Sequence, residues 1–467
     1  MSADSVIVRM YRGLLGDCFL LIINSGGNQS TILVDCGVLQ GTPDATPRMQ
    51  KIVENVYETS GEKLDLVVVT HEHWDHISGF QHAEASFKAH GFDELWMAWT
   101  EDPADTDAQE LQARFAKGHD KLSALQAAAS KGPGAASLSC KLAGFAGPGG
   151  TEKDKRGSQL IYDNLRKWSR SPPKYLRPGM SADAPGGLKA YVLGPPRDTK
   201  LLLKSLPSSG ANKETYFGDE AGPDEQHEAK EQSPFARRHH WKSYWDIQRS
   251  KAKNGAESYV RDLYFGSDDR RIDDLHAVEF NRLSIKMDSN TNNTSLVLAF
   301  ELPDGATMIF AADAQVGNWL SWRDAKFKSQ GNAGDKSICG DDLLARAKLY
   351  KVGHHGSHNA TLRARGLELM IRDDLVALIS TDAKFALTQG KGWLMPNPRV
   401  SAALKKQTKG RVVRGDQPSD QAKLRSLVRE GPGELFVDLL AFGEWPKDHP
   451  LSESAKVTRQ SGTKKRK

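Results

Sequence analysis

Only four cysteines occur in 467 residues: Cys18, Cys36, Cys140 and Cys339. They are widely spaced and match neither a zinc-ligand nor a redox pattern, which excludes a disulfide scaffold and a thiolate metal site. They read as reduced thiols, and Cys36 as a small buried hydrophobe. No apolar run reaches the ~18–20 residues that span a bilayer, so a helical membrane protein is excluded. Residues 1–7 lack a basic segment followed by an apolar one, so no secretory signal is read there and the expected location is cytoplasmic. Charge of one sign is also scarce. The 64 basic and 59 acidic residues leave a formal net charge of +5, too mild alone to argue for a nucleic-acid partner. Histidine is rare too, 14 in all, yet three of them fall within positions 71–76.

What precedes those histidines gives them meaning. Leu64-Asp-Leu-Val-Val-Val-Thr70 reads as a buried strand. His71, Glu72, His73, Trp74, Asp75 and His76 follow directly, on an expected short loop. Open α/β sheets bind their ligands at the carboxyl ends of their strands. Three imidazoles and a carboxylate there suit one borderline-soft divalent cation, or two close together. A solvated polar turn is the bland alternative, and the scarcity of histidine elsewhere argues against it. Glu72 is expected to face away from the metal as a loop acceptor, and Trp74 to pack beneath the loop.

Three further segments repeat the design of an apolar strand ending in a metal-competent residue. They are Leu33-Val34-Asp35, Ile309-Phe310-Ala311-Ala312-Asp313, and Leu349 through His354-His355-Gly356-Ser357-His358. Around them, alternation predicts strands at 5–11, 18–23 and 31–34, and helical spacing of Ile52, Val53, Val56 and Tyr57 predicts a helix at 48–60. Further helices are expected at 82–90, 108–129 and 160–169. Further strands are expected at 94–99, 188–193, 295–302, 307–311, 345–352, 375–380, 411–413 and 433–440. Residues 1–445 read as one domain, with insertions at 101–185 and 197–290. Residues 446–467 read as a disordered basic tail, carrying six Lys and Arg and no acid from 456 on.

The HEHWDH stretch fits the pattern H-x-H-x-D-H. With Asp35, Asp313 and the His354-His355 pair it resembles the metallo-β-lactamase superfamily of binuclear metal-dependent hydrolases. The resemblance covers roughly residues 5–100, 186–196 and 293–440, and not the insertions. It implies an αββα sandwich with the site at one edge of two packed sheets. It also implies two divalent cations, zinc or alternatively manganese, and hydrolysis by a hydroxide activated between them. Carried over by position, His71 and His73 would hold the first ion, Asp75 and His76 the second, and Asp313 both. One of His354 and His355 would complete the second site, with His355 favoured and His354 facing the substrate. Asp75 and His354 are the expected catalytic residues, orienting the nucleophile and bonding the oxyanion or leaving oxygen. Asp35 and Asn293 would stand behind the ligands, Asp35 fixing a tautomer. The family's third motif usually supplies a further histidine. Here Asn292-Asn293-Thr294-Ser295 occupies its place, which leaves the first ion fewer protein ligands; His276 is the nearest upstream substitute.

The segments Gly13–Leu20, Asn293–Leu298 and Lys351–Ser357 narrow the likeness to the hydrolase domain of DNA-uptake competence proteins and their soluble relatives. Phosphorylcholine esterases share parts of the pattern, and His73 departs from the competence motif, which has aspartate there. The resemblance thus implies a phosphodiester substrate, nucleic acid included. A nuclease needs a groove with basic side chains near the metals, and Lys351, Lys384, Lys391 and Arg399 are the candidates for it. A small ester, lactone or thioester is the alternative substrate. A non-catalytic partner-binding module is a third reading, opposed by the intact ligand set. Arg237-Arg238-His239-His240-Trp241 reads as a solvated charged loop. Residues 384–398 resemble a segment that closes over the site.

Overall fold

A computed structural model of the chain describes residues 3–13, 15–129, 157–208, 214–216, 258–259, 261, 283, 286–328, 337–388, 393–419, 422–447 and 449, with side chains left aside at 123–129. The expectations for His276, for residues 237–241 and for the tail beyond 450 lie outside the described residues.

Apolar alternation builds a meander first: β1 (Ser5–Tyr11), β2 (Cys18–Ser25) and β3 (Asn28–Cys36). Gly26 and Gly27 sit at positive φ (57° and 82°), which lets two residues reverse the chain between β2 and β3. Helix α1 (Ala45–Thr59) buries Met49, Ile52, Val53, Val56 and Tyr57 along one stripe. Then come β4 (Leu64–Val68), α2 (Trp74–His82), α3 (Glu84–His90), β5 (Phe92–Ala98) and β6 (Lys174–Leu176). A second set follows: β7 (Ser181–Ala184), β8 (Leu188–Gly194), β9 (Val297–Glu301) and β10 (Thr307–Phe310). The ribbon β11 (Lys326–Phe327) and β12 (Ile338–Cys339) precedes β13 (Ala347–Lys351), β14 (Val376–Ile379) and β15 (Val412–Arg414). Last come β16 (Val428–Glu430) and β17 (Phe436–Gly443).

The eight-stranded sheet runs β16-β17-β1-β2-β3-β4-β5-β6 and the seven-stranded sheet β15-β14-β13-β10-β9-β8-β7. Three apolar cores make four layers. One lies between the sheets, where Val8, Phe19, Leu21, Val34 and Val68 meet Val192, Phe300, Met308, Phe310 and Leu378. A second joins the outer face of the first sheet (Leu20, Leu33, Val67) to α1, α2 and α3. A third joins the outer face of the second sheet (Val297, Ile309, Tyr350) to Trp319, Leu343, Val400 and Leu404 on flanking helices. The fold is the αββα sandwich that the pattern implies. No helix among the described residues is long and apolar enough to cross a membrane.

The chain divides into two compact units. One is Met1–Gln112, Gly144–Tyr216 and Asp288–Lys467 and contains both sheets; the other is Ala113–Ala143 and Phe217–Met287. Within the stretch 101–185, β6 and β7 are the outer strands of the two sheets, and the helix Gly157–Trp168 packs Ile161, Tyr162 and Leu165 against the first. Strands β3 to β6 are mutually parallel, as are β10, β13, β14 and β15. Each set therefore presents several carboxyl ends side by side.

Candidate metal centre

The parallel strand ends deliver the histidines and carboxylates. Asp35 lies near the end of β3, His71 just past β4, Asp313 just past β10, and His354 and His355 just past β13. A backbone bond from Leu296 N to Thr70 O (2.9 Å) links the two sheets at this point. Four of the delivering residues are non-glycines with left-handed backbone: Asp35 (φ 54°), Ala312 (48°), His354 (46°) and His355 (53°). Such conformations cost free energy and persist where their surroundings hold them, commonly at functional sites. Residues 71–76 are not wholly loop, as expected from sequence. Helix α2 begins at Trp74 with His73 as its N-cap, so Asp75 sits in the first turn, where the helix dipole favours a carboxylate.

Two buried donor groups share Asp313. Asp75, His76, Asp313 and His355 form one, and His71, His73 and Asp313 the other; each group has ligand atoms close enough together that it could hold a metal ion. His76 Nε2 lies 3.2 Å from Asp313 Oδ2, and His355 Nε2 lies 3.0 Å from Asp75 Oδ2. His71 Nε2 and His73 Nδ1 are 3.1 Å apart. The fit to cations rests on atoms the protein leaves unsatisfied. Among the described residues, Asp75 Oδ1, His76 Nε2, Asp313 Oδ2 and His354 Nδ1 are buried without a hydrogen bond. Buried polar atoms are almost always paired, so converging orphans mark a place for a ligand. His354 stands beside the groups, its Nε2 3.8 Å from Asp313 Oδ2.

An outer layer sets the ring tautomers. Asp35 Oδ2 is 2.8 Å from His76 Nδ1 and accepts the Thr70 hydroxyl at 2.7 Å. With its one proton given to Asp35, Thr70 Oγ1 accepts from His71 Nδ1 (3.1 Å). Both rings thereby turn Nε2 toward the donor groups, the nitrogen that would meet a cation once deprotonated. His355 Nδ1 donates to Ser380 O at 2.7 Å, which turns its Nε2 toward Asp75 Oδ2 at 3.0 Å. Asn293 Oδ1 accepts from Gln315 N (3.0 Å) and Asn318 N (3.4 Å), and Ser295 Oγ accepts from Asp313 N (3.2 Å), pinning the loop that carries Asp313. Glu72 accepts from Ser158 (3.3 Å), and Trp74 packs in the helical layer.

The electrostatics call for cations. Asp17, Asp35, Asp75 and Asp313 are all buried, facing one buried ammonium, Lys351. Burial opposes ionisation of Asp313, yet the charge of His76 holds it well below the usual carboxylate range. Burial likewise opposes Asp75, and the charge of His76 with a hydrogen bond from His355 holds it low. Burial would lower His76, but Asp313 and Asp35 raise it well above ordinary. His73 is pushed down to about 4 by burial, against Asp75 and Asp313. Burial also lowers His71 and His354.

One expectation fails. Lys351 does not line an open groove: it is 1 % exposed, buried because Asp17 neutralises it and Ala312 O accepts from it. Lys384 and Arg399 are exposed, and Lys391 lies outside the described residues. Sequence reasoning missed Asp17, Thr70 and Ser380 as parts of the site. Their one sequence-level signal is adjacency to strand ends.

A four-layer sandwich with a histidine–aspartate cluster across its parallel strand ends defines a class of metal-binding αββα proteins. Residues 11–164 match the family model of the metallo-beta-lactamase superfamily. The match takes in Asp35, His71, His73, Asp75 and His76, while Asp313, His354 and His355 fall beyond it. That family suggests metal-dependent hydrolysis. No curated protein matches the chain.

Proposed function

We propose that the protein is a metal-dependent hydrolase that holds two divalent cations side by side and cleaves phosphodiesters. The sharing of Asp313 between two buried donor groups carries this reading. His71, His73 and Asp313 would hold the first ion, and Asp75, His76, Asp313 and His355 the second. Mixed imidazole and carboxylate donors suit zinc, and the carboxylate share admits manganese. Cations held there would acidify a coordinated water and polarise a phosphoryl oxygen. Asp75 Oδ1, free of other bonds, accepts a hydrogen bond from the attacking water and so orients it. His354 is kept neutral by burial and its Nδ1 has no partner among the described residues. That nitrogen donates to the substrate oxygen that gains charge.

Elemental analysis and assays on bis-p-nitrophenyl phosphate, plasmid DNA and a lactone panel test the proposal. Two equivalents of metal and phosphodiester turnover are expected. Asp75→Ala and His355→Ala should lose more than the roughly 10–100-fold typical of groups behind the ligands. A metal-free protein, or variants matching wild type, sinks the reading. The burial of Lys351 removes one cation from any nucleic-acid groove and favours a small substrate, with an ester, lactone or thioester as the second reading. Turnover that falls steeply with salt would mark a polyanionic substrate.

A further inference from the structure

A third set of converging donors, Asp17, Asp35 and His76, lies behind the two groups and has the residue types of a cation site. A cation for it is already in the chain. Lys351 Nζ contacts Asp17 Oδ2, donates to Ala312 O at 3.2 Å and lies 4.0 Å from Asp313 Oδ1. Both side chains of the pair are 1 % exposed.

We propose that Lys351 is the built-in cation of this third set, and that the Lys351–Asp17 pair is a positioning unit that aims the ligands of the two-ion centre. The inference rests on reading that centre as a metal site. Asp17 reaches the segments that carry Asp75, His76 and His355. Its Oδ2 lies 3.7 Å from His76 Nδ1 and its Oδ1 3.8 Å from His355 Nδ1. It accepts the Ser380 hydroxyl, and Ser380 O holds His355 Nδ1. Its backbone N donates to Asp75 O (3.0 Å), and its carbonyl accepts from Gly37 N (2.9 Å). Lys351 grips the opposite side through Ala312 O, the carbonyl one residue before Asp313. One ion pair thus braces the ends of β3, β10, β13 and β14 and the start of α2. A tethered ammonium does this without exchanging into solvent, as a third metal ion would. It also spares Asp17 the cost of a lone buried carboxylate.

The test uses the full chain with zinc, in chelator competition and elemental analysis, beside circular dichroism and thermal unfolding. Lys351→Met, Lys351→Arg and the charge-free double variant Asp17→Asn/Lys351→Met are compared with wild type. Wild type is expected to take two equivalents. Lys351→Met should bind them about 10–100-fold more weakly, as losses behind metal ligands do, and Lys351→Arg should recover part of that loss. The double variant, with no unpaired buried charge, should regain thermal stability but not zinc affinity. Recovery of both would show a merely structural pair and overturn the inference. So would full affinity in Lys351→Met, or a third equivalent in wild type. Wild type that binds no zinc would overturn the metal reading, and the inference with it.

Discussion

At the scale of single residues, Asp35 does more than its place in a motif implies. One carboxylate sets His76 directly and His71 through the Thr70 hydroxyl, so it governs a donor in each group. Asp35→Asn should therefore weaken both metal equivalents together, by about 10–100-fold, in a chelator competition. Loss of one equivalent alone would contradict the shared role. The adjacent histidines should separate in the opposite way. His355→Gln should lose an equivalent of metal, since its Nε2 sits 3.0 Å from Asp75 Oδ2. His354→Gln should keep both equivalents and lower kcat, which elemental analysis beside steady-state kinetics reads directly. The histidines were legible in the sequence because metal chemistry demands particular residue types at short spacing. Asp17 was not, because its contact with Ser380 spans 363 positions and leaves no local pattern.

At the scale of elements, the strands reveal themselves where burial imposes a pattern. β1, β4, β8 and β14 are apolar runs that read within a residue or two of their ends. β6, β7 and β16 have three or four residues, too few for alternation to show. The start of α2 reads as loop in the sequence because histidine and tryptophan are weak helix formers, and the cap geometry at His73 leaves no residue-type signal. That junction has no slack. A Cβ on Gly37 would lie 2.3 Å from the carbonyl carbon of Asp75, a clash with backbone that no rotamer relieves. Gly37→Ala should push the first turn of α2 away from β3, lowering zinc affinity and the thermal midpoint together. A variant that keeps wild-type affinity would mean that the β3–α2 contact does not set the ligand positions.

At the scale of the whole molecule, the first sheet joins strands from both ends of the described chain, because β17 pairs antiparallel with β1. Arg9 faces Asp438 across that seam, with Nε to Oδ1 at 2.8 Å and Nη2 to Oδ2 at 2.9 Å. The fork is buried, and His449 Nε2 adds a contact to Oδ2 at 2.8 Å. The Arg9 guanidinium also lies 3.4 Å from the centre of the Phe436 ring. Breaking such a pair strands a buried guanidinium, so Asp438→Asn should cost about 3–5 kcal/mol near neutral pH. The pH dependence follows from the carboxylate. Burial opposes its ionisation, but the bonds from Arg9 and His449 outweigh burial and hold its pKa below the ordinary 3.8. A carboxyl depressed in the folded state stabilises fully above its unfolded pKa, and that stability is lost as pH falls through the folded value. The difference between wild type and Asp438→Asn in urea unfolding should therefore shrink as pH falls below 3.8. A difference that persists unchanged at pH 3 would assign the loss to packing around Phe436 and not to the charge.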